Sequence, residues 1–470
     1  MFTKETYINR RNQLRAQLKN GIVLILGNAD SPMNYLSNAY KFRQDSNFLY
    51  FFGIDLPGFA GVIDLDENKD YIFGNDVEIE DIIWTGQQPT VQENAALVGI
   101  YLTSTLSQFS EFIKKVKTQG RTIHFLPPYR TTNMLWLENL LGIPALQTKK
   151  HASIALCKAV IALRSIKDNE EIAEIDQACD TAYKMHTAAM QLTHPDIYEH
   201  EIAGHIEGIA ISVGGTLSYP TILSKHGEIL HSHTHNNLLQ TGDLLLVDAG
   251  CETPLHYASD ITRAFPVSGK FSPKQREIYE IVLAANNNTV KSAKPGIKYL
   301  DIHFQAARII ASGLKDLGLM QGSLDDIVSK GAHALFFPHG LGHMLGLDVH
   351  DMEDLGEDYV GYDEETQRID QFGTAYVRMG KRLQPGYVVT NEPGIYFIPE
   401  LIDRWQTENK FATFINYEKV NTYRNFGGIR IEDDLLITAN SCRLLGKQRV
   451  PVTVKEIENI VGNKFTGSEF

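Results

Sequence analysis

The sequence predicts a two-domain protein of the α/β class. Its 470 residues exceed the ~250–300 residues at which a single hydrophobic core usually stops growing. In the first part of the chain, short apolar runs alternate with helical patterns, as is typical of an α/β domain. Between about Lys149 and Lys167 this pattern gives way to longer amphipathic helices with acidic starts. We therefore expect an N-terminal domain at 1–155 and a larger domain at 165–470.

The composition is that of an ordinary globular protein, with 43% apolar and 21% charged residues. A formal net charge of -13 argues against nucleic acid or an anionic membrane as a partner. Residues 1–13 lack the apolar core of a secretory signal. The cysteines form no Cys-x-x-Cys pair, so neither a zinc knuckle nor a disulfide framework is indicated. We therefore expect a cytoplasmic protein.

In the first domain, helix and strand patterns alternate. Helices are predicted over Thr6–Lys19 and Gln108–Lys117, and buried strands over Ile22–Leu26 and Thr122–Leu126. The stretch Phe42–Ile63 contains six aromatic residues between turn signals. We interpret it as a strand, a turn and a second strand that pack in the interior.

The second domain begins with a predicted helix over Ser165–Met190. Further helical patterns occur at Ile202–Val213, Pro273–Ser292 and Tyr299–Leu317. The remaining chain is rich in short strands. The segment Asp351–Gly373 is acidic and contains glycine, and it is predicted to be an exposed loop.

The stretch Gly242–Asp260 carries the first candidate site residues. Leu244–Val247 is an apolar run typical of a buried strand, and Asp248 follows it directly. His256–Phe265 can return as a second strand that carries Asp260. Two acids on paired strands repel each other and lose hydration unless a cation lies between them. The alternative is a turn aspartate and an unrelated surface aspartate.

The second candidate region is the histidine-rich segment Pro338–His350. His339 and His343 are four residues apart, but Gly340 and Gly342 disfavour a helix. Gly340 also stands where a zinc-protease helix of the HExxH type would need its glutamate. We therefore predict a loop that presents histidines. The alternative for any one of these histidines is a structural role.

Two further segments supply carboxylates. In Val388–Tyr396 a β-rich run leads to Glu392, and Pro393-Gly394 then turns the chain. Gly428–Thr438 is predicted to be one strand with a polar face. The alternation divides its residues into two faces: Ile429, Ile431 and Asp433 on one, Arg430, Glu432 and Asp434 on the other. A solvated edge face is the alternative interpretation.

Together these segments offer four carboxylates and one imidazole: Asp248, Asp260, His343, Glu392 and Glu432. Such an oxygen-rich set suits two divalent ions such as Mn²⁺, Co²⁺ or Zn²⁺. Two ions about 3.5–4 Å apart lower the pKa of a shared water and polarise a carbonyl group.

A rival metal site is offered by the segment LHSHTH. His231, His233 and His235 alternate, so on a strand they would share one face and could hold one zinc ion. We favour instead an arrangement in which His231 lies in the pocket and the other two are solvated or structural.

The motifs SDITRAFP, HGLGHMLGLDVH, NEPGIY and GGIRIEDD resemble, in order and context, those of the metal-dependent Xaa-Pro peptidases aminopeptidase P and prolidase. These enzymes belong to the pita-bread family, which also includes methionine aminopeptidase and creatinase. FRQDSNFLYFFGIDLPG resembles the N-terminal domain of the Xaa-Pro enzymes. The resemblance implies a pita-bread catalytic domain preceded by a smaller α/β domain.

The same resemblance implies a metal ligand set. Asp248 would hold one ion, Asp260 and Glu432 would bridge both, and His343 and Glu392 would complete the second. Two divalent ions, Mn²⁺ first, are the expected cofactors. A homo-oligomer, a dimer, is also expected.

Roles in catalysis follow from the resemblance too. The nucleophile of the family is a hydroxide that bridges the two ions, with Glu392 as its general base. His350 and His231 match positions that contact the substrate near the scissile carbonyl, and His339 flanks the ligands. Arg430 matches an arginine on the glutamate strand and is expected at the substrate.

The chain departs from its relatives at one position of this pattern. Ser232 stands where relatives commonly carry tyrosine, which weakens an assignment for His233 and His235 but leaves His231 intact. The complete ligand set argues against creatinase and against the metal-free peptide-binding members of the fold.

The expected reaction is hydrolysis of the bond before proline, whose nitrogen has no hydrogen to donate. A dipeptide substrate ends in a carboxylate at its proline, so a dipeptidase benefits from an arginine there. Arg378, in YVRMGKRLQPG, resembles a prolidase arginine in that role, and a solvated loop arginine is the alternative. The long loop 351–381 is also prolidase-like. We predict an Xaa-Pro aminopeptidase, with a dipeptidase second and an inactive peptide-binding module third.

Overall fold

The computed structural model describes residues 1–463. The chain divides into two compact units. The first contains Met1–Arg164 and Glu353–Gly356, and the second contains Ser165–Met352 and the chain from Glu357 onward. Within the described residues, no helix is both long enough and apolar enough to pass through a bilayer.

The first unit is built around one mixed sheet. Its strands are β1 (Ile22–Leu26), β2 (Ala60–Asp64), β3 (Lys69–Phe73), β4 (Leu102–Ser104) and β5 (Ile123–Phe125). They lie in the order β4-β3-β2-β1-β5, with β1 antiparallel to β2 and parallel to β5.

The first unit, which lies wholly within the described residues, also contains eight α-helices. They are α1 (Lys4–Gln17), α2 (Ser46–Phe52), α3 (Ile79–Thr85), α4 (Val91–Leu97), α5 (Leu106–Thr118), α6 (Thr131–Leu141), α7 (Thr148–His151) and α8 (Ile154–Ser165), with a 3-10 turn at Ala145–Gln147. The spacing of Phe109, Ile113 and Val116 places all three on one face of α5, where they join the core of the sheet. The prediction of an amphipathic helix here is confirmed.

The prediction for Phe42–Ile63 is wrong in its first half, because residues 46–52 form helix α2. The carboxylate of Asp45 accepts hydrogen bonds from the N–H groups of Asn47 and Phe48, which starts the helix. Gly53, with φ of 60°, ends it. Every residue of α2 is buried, so the sequence shows no helical alternation of apolar and polar positions.

The second unit contains nine α-helices and ten strands within its described residues. The helices are α9 (Asn169–Leu192), α10 (Glu199–Ser212), α11 (Pro273–Ser292), α12 (Tyr299–Asp316), α13 (Leu324–Lys330), α14 (Glu357–Gly361), α15 (Pro399–Thr407), α16 (Tyr417–Asn421) and α17 (Val454–Ile460). The strands are β6 (Thr216–Leu217), β7 (Ile222–Ser224), β8 (Leu244–Ala249), β9 (Cys251–Glu252), β10 (Ile261–Pro266), β11 (Val388–Asn391), β12 (Gly394–Tyr396), β13 (Gly428–Arg430), β14 (Asp433–Ile437) and β15 (Cys442–Leu444).

These strands form four small antiparallel sheets. Their orders are β10-β8-β7, β11-β14-β15, β12-β13 and β6-β9. The predicted helix Pro273–Ser292 is confirmed in full, and Tyr299–Leu317 is confirmed to within one residue. The N-cap Ser272 and the proline that follows it mark the start of α11.

Three sequence predictions in this unit need correction. His256–Phe265 is not one strand: the N–H of His256 donates to the carbonyl of Thr253 in a turn, and β10 begins only at Ile261. Gly428–Thr438 is divided into β13 and β14, which pair with different strands. Asp351–Gly373 is not wholly an exposed loop, because it contains α14 and because Asp351 is buried.

Candidate metal centre and substrate cavity

Asp248 and Asp260 lie side by side on the β8–β10 pair. Ile261 pairs with Ala249 and Thr262 with Asp248, so Asp260, just before β10, is a diagonal neighbour of Asp248 on the same face. Both carboxylates are buried. Burial raises the pKa of Asp248, although the nearby Arg430 opposes this shift.

The hydroxyl of Tyr219 contacts both aspartates. Its oxygen lies 2.5 Å from Oδ1 of Asp248 and 2.6 Å from Oδ1 of Asp260. Burial raises the pKa of Tyr219 well above its ordinary value, so the hydroxyl keeps its proton and acts as a donor. Sequence reasoning missed this residue, because a lone tyrosine in a short coil carries no signal of its own.

His343 brings an imidazole nitrogen to the carboxylates. Its Nδ1 lies 3.0 Å from the carbonyl oxygen of Met344, and a proton donated there leaves the lone pair of Nε2 available. Nε2 lies 3.3 Å from Oδ2 of Asp260 and 3.8 Å from Oε1 of Glu392. The segment that carries His343 is a loop beside β11, so the prediction of a loop rather than a helix is confirmed.

Glu392 and Glu432 each lie in a short break between two strands of the second unit. Glu392 lies between β11 and β12, and its N–H donates to the carbonyl of Leu341. Glu432 lies between β13 and β14, and its Oε2 accepts a hydrogen bond of 2.6 Å from the Thr262 hydroxyl.

The donor set fits divalent cations. Asp260, His343 and Glu432 each offer a ligand atom, and these atoms all lie within 4.8 Å of one another. Burial raises the pKa of Glu392 to about 7 and that of Glu432 well above its ordinary range. Three buried carboxylates, with the partly exposed Glu392 beside them, repel one another when ionised, so added positive charge favours their ionised forms. Hard or borderline divalent ions prefer such carboxylate and imidazole donors.

Comparison with known proteins gives the family. Residues 173–439 match the model of metallopeptidase family M24, and residues 7–124 match that of the aminopeptidase P N-terminal domain. The chain belongs to metallopeptidase family M24. The prediction of a metal-dependent Xaa-Pro peptidase with a pita-bread fold and a smaller α/β N-terminal domain is confirmed.

The M24 relatives include both Xaa-Pro activities. The chain is 31% identical over 447 residues to the Xaa-Pro dipeptidase of Homo sapiens, covering 93% of this chain and 88% of the relative. It is also 31% identical over 447 residues to the Xaa-Pro aminopeptidase of Escherichia coli, covering 93% of both chains. The structure of E. coli aminopeptidase P with the inhibitor Pro-Leu matches with a TM-score of 0.79 at 30% identity, covering 98% of both chains.

In this M24 peptidase Arg430 lies beside the candidate ligand Asp248. It is buried, and its guanidinium contacts the carboxylate of Asp248. Its Nη1 donates to the hydroxyl of Tyr396 at 3.0 Å, and its Nε donates to the hydroxyl of Thr262 at 3.1 Å. Although Arg430 also lines the cavity, these contacts give it a part in orienting Asp248.

His339 lies beside Glu392. Its Nδ1 is 3.6 Å from Oε2 of Glu392, and its Nε2 is 2.9 Å from the hydroxyl of Tyr396. Burial lowers the pKa of His339 to about 3, so its imidazole is neutral at physiological pH. The structure therefore places His339 next to the ligand set.

A cavity of about 780 Å³ is lined by the candidate ligands and also by His231, His350 and Arg378. The rings of His350 and His343 are 4.2 Å apart between centroids. Nη1 of Arg378 lies 2.9 Å from Nε2 of His350. The predicted substrate residues thus share one cavity with the carboxylates.

The rival zinc site is not formed. Residues 225–237 are coil and turn rather than a strand, so the alternating histidines do not share a face. Nδ1 of His235 lies 3.0 Å from the carbonyl oxygen of Leu223, while His231 and His233 lie at the cavity wall. Among the described residues, the metal-type group is Asp260, His343 and Glu432.

Proposed function

We propose that this M24 peptidase is an Xaa-Pro aminopeptidase that works with two divalent cations, Mn²⁺ first. The observation that carries the proposal is the convergence of four carboxylates and one imidazole on the wall of a single cavity. The residues that would hold the ions are Asp248, Asp260, His343, Glu392 and Glu432. Ions bound there would lower the pKa of a water molecule and polarise the scissile carbonyl group.

The protein's own side chains handle the proton and the developing charge. Glu392 faces the cavity beside His339 and His343, so it can take the proton of the attacking water and return it to the leaving nitrogen. His231 and His350 lie at the same wall and would stabilise the oxyanion of the tetrahedral intermediate. None of these groups needs an N–H on the substrate nitrogen, which proline lacks.

The size of the cavity supports an aminopeptidase. A volume of about 780 Å³ lies in the upper part of the ~300–1,000 Å³ range of drug-sized sites, so it has room for residues beyond the proline. The resemblance to E. coli aminopeptidase P over 98% of both chains supports the same substrate class.

A specific observation favours a dipeptidase as the second candidate. Arg378 stands at the cavity wall beside His350, where its guanidinium could pair with the terminal carboxylate of a dipeptide. The human Xaa-Pro dipeptidase is also among the relatives.

The two candidates are separated by peptide length. Turnover of Xaa-Pro, Xaa-Pro-Yaa and longer peptides is measured with Mn²⁺ added, and the metal content is determined by elemental analysis. We expect the enzyme to cleave tripeptides and longer substrates, and we expect elemental analysis to find two bound ions per chain. Cleavage of dipeptides alone would overturn the aminopeptidase proposal.

The Arg378→Gln variant refines this test. If Arg378 holds a terminal carboxylate, the variant should raise KM for dipeptides about tenfold to hundredfold and leave longer peptides unchanged. Arg382→Gln is the matched control, because Arg382 pairs with Glu365 on the exposed surface. Equal effects of both variants would remove the support for the dipeptidase.

We also propose that 1–155 is the aminopeptidase P-like domain and 165–470 the catalytic domain, of which 464–470 lie outside the described residues. The family matches at 7–124 and 173–439 support this division. A cytoplasmic location is supported by the cysteines, none of which forms a disulfide in the described chain. The proposed homodimer is tested by sedimentation velocity.

A further inference from the structure

Lys167 and Asp351 form an ion pair in the interior of the second unit. Nζ of Lys167 lies 2.9 Å from Oδ2 of Asp351, and each side chain is only 1% exposed. Neither residue belongs to the ligand set or lines the cavity. Two buried charges cost more hydration than their attraction returns in many proteins, and an apolar pair is often as stable. Stability alone is therefore a weak reason for this pair.

Asp351 closes the loop that follows His343. Its N–H donates to the carbonyl of Met344 over 2.9 Å, and its Oδ1 accepts from the N–H of Asp348 at 3.3 Å. One carboxylate oxygen thus binds Lys167 and the other binds the loop. These hydrogen bonds bring the two ends of the loop together.

The ends of this loop are the two histidines of the site. His343 comes directly before Met344, and His350 directly before Asp351. Their ring centroids are 4.2 Å apart at an interplanar angle of 67°. Since Asp351 joins the two ends of the loop, its position sets the separation of these rings.

Lys167, the other residue of the ion pair, is held by a different part of the second unit. The N–H of Lys167 donates to the carbonyl of Gly386 at 2.9 Å, just ahead of β11. The pair also packs directly on Gly346, where a Cβ atom would lie 2.6 Å from Oδ2 of Asp351 and 3.0 Å from Cε of Lys167. The carbonyl of Gly346 accepts from the N–H of Ala258, two residues before Asp260. The pair therefore connects the loop to the segments that carry the ligands.

We propose that Lys167 and Asp351 are positioning residues, which hold His350 at its working distance from His343 during Xaa-Pro hydrolysis. This inference rests on the proposed function, in which His350 stabilises the oxyanion. A displacement of about 1 Å at a catalytic group costs up to about a hundredfold in rate. Loss of the pair should therefore lower kcat and have little effect on KM.

The test is a double-mutant cycle with His350→Ala. The wild-type enzyme is assayed first on an Xaa-Pro-Yaa peptide with Mn²⁺, which tests the proposed function by itself. Lys167→Met combined with Asp351→Leu removes both charges at similar volume. We expect kcat to fall about tenfold or more, KM to stay within about twofold, and Mn²⁺ content to be unchanged. In the His350→Ala background the same substitutions should change kcat less than about twofold.

A matched control uses the partly exposed pair Lys225–Asp243. Lys225→Met with Asp243→Leu removes the same charges in the same unit, and kcat should stay within about twofold of the wild type. If the effects on kcat of the Lys167→Met/Asp351→Leu substitutions and of His350→Ala are fully additive, the positioning role is overturned, because a merely structural effect does not depend on His350. An equal loss of kcat in the Lys225→Met/Asp243→Leu control would overturn it as well.

Two further measurements keep the proposal testable. If the Met/Leu variant does not fold, Asp351→Glu keeps the charge, displaces the carboxylate by one methylene, and enters the same cycle with the same expectations. A crystal structure of the folded variant should show the His343–His350 ring separation increased from 4.2 Å. An unchanged separation overturns the proposal even if the wild-type enzyme proves inactive on Xaa-Pro peptides.

Discussion

The phenolic oxygen of Tyr219 lies 2.6 Å from Oδ1 of Asp260, and the same oxygen lies 2.5 Å from Oδ1 of Asp248. One hydroxyl proton is thus shared between two carboxylates of the proposed ligand set. The hydrogen bonds fix which oxygen of each carboxylate is turned away from the tyrosine: Oδ2 of Asp260 faces Nε2 of His343 at 3.3 Å, and Oδ2 of Asp248 contacts the guanidinium of Arg430. Mutation of groups that orient ligands in this way typically costs about 10–100-fold in metal affinity or activity.

The first prediction concerns this hydroxyl. Tyr219→Phe should weaken Mn²⁺ binding about tenfold to a hundredfold, because both aspartates lose the donor that orients them. The dissociation constant of Mn²⁺ is measured by calorimetric titration of each protein with Mn²⁺. Tyr257→Phe is the control: Tyr257 is a buried tyrosine whose hydroxyl donates to the carboxylate of Glu171, outside the proposed ligand set. Equal affinities for the wild type and Tyr219→Phe would contradict the prediction.

The second prediction concerns proton transfer. Glu392→Ala should lower kcat for Xaa-Pro cleavage at least about a hundredfold, since general base catalysis contributes about 10²–10⁴-fold. Activity is measured at saturating Mn²⁺, with bound metal quantified in the same sample. Glu408→Gln, at the exposed end of α15, should leave kcat unchanged. Near-normal turnover of a metal-loaded Glu392→Ala enzyme would refute the role of Glu392.

The parts of the fold that the sequence predicts best have a local cause. The predicted bounds of β1 match the observed ones, because Gly21 and Gly27 enclose an unbroken apolar run. Helix α11 is predictable in full, because a capping serine and a proline mark its start. Helix α2 escapes prediction because complete burial removes the apolar–polar alternation on which a sequence prediction depends.

The candidate site likewise contains residues that local sequence predicts and one residue that it does not. The segments that carry Asp248, His343 and Glu392 can be singled out from the sequence, because carboxylates at strand ends and histidines in a glycine-rich loop are recognisable. Each residue alone also fits a turn or a structural role, and only the combined motifs and the family resemblance indicate a metal site. Tyr219 escapes prediction because its importance comes from a contact with Asp260, 41 residues away along the chain. No local pattern encodes such a contact, and a tyrosine in coil is compatible with many environments.

The third prediction concerns acid stability. Burial lowers the pKa of His303 to about 3, while an unfolded histidine titrates near about 6.5. The unfolded chain therefore binds more protons between these values, and the stability that neutral His303 contributes is present above pH ~6.5 and lost as the pH falls towards 3. Each pH unit in this window costs about 1.4 kcal/mol.

This prediction is tested with His303→Phe, which retains the ring contact with Phe337. The free energy of unfolding is measured by urea titration at pH 7.5, 6.0 and 5.0. The variant should lose less stability than the wild type between pH 6.0 and 5.0. An identical pH dependence in both proteins would show that His303 does not titrate on unfolding.

The fourth prediction concerns metal removal. A cation that binds only the folded state stabilises it by about 2.7 kcal/mol at a hundredfold excess over its dissociation constant. Chelation of the metal should therefore lower the melting temperature by several degrees, and Mn²⁺ should restore it. The measurement is calorimetry of the chelated and the reloaded protein.

The difference in folding stability between the metal-free and the metal-loaded protein should also increase with pH. Burial raises the pKa of Glu392 to about 7 in the protein without cations, above the ~4.3 of an unfolded glutamate. A group with a raised folded pKa contributes stability that is present below the unfolded value and is lost as the pH rises through the folded value. The metal-free protein should thus lose stability between pH ~4.3 and 7, while bound cations compensate the ionised carboxylate. Glu392→Gln removes this titrating group, so the stability difference should increase less with pH in the variant. An equal increase in both proteins would assign the pH dependence to the other three acids.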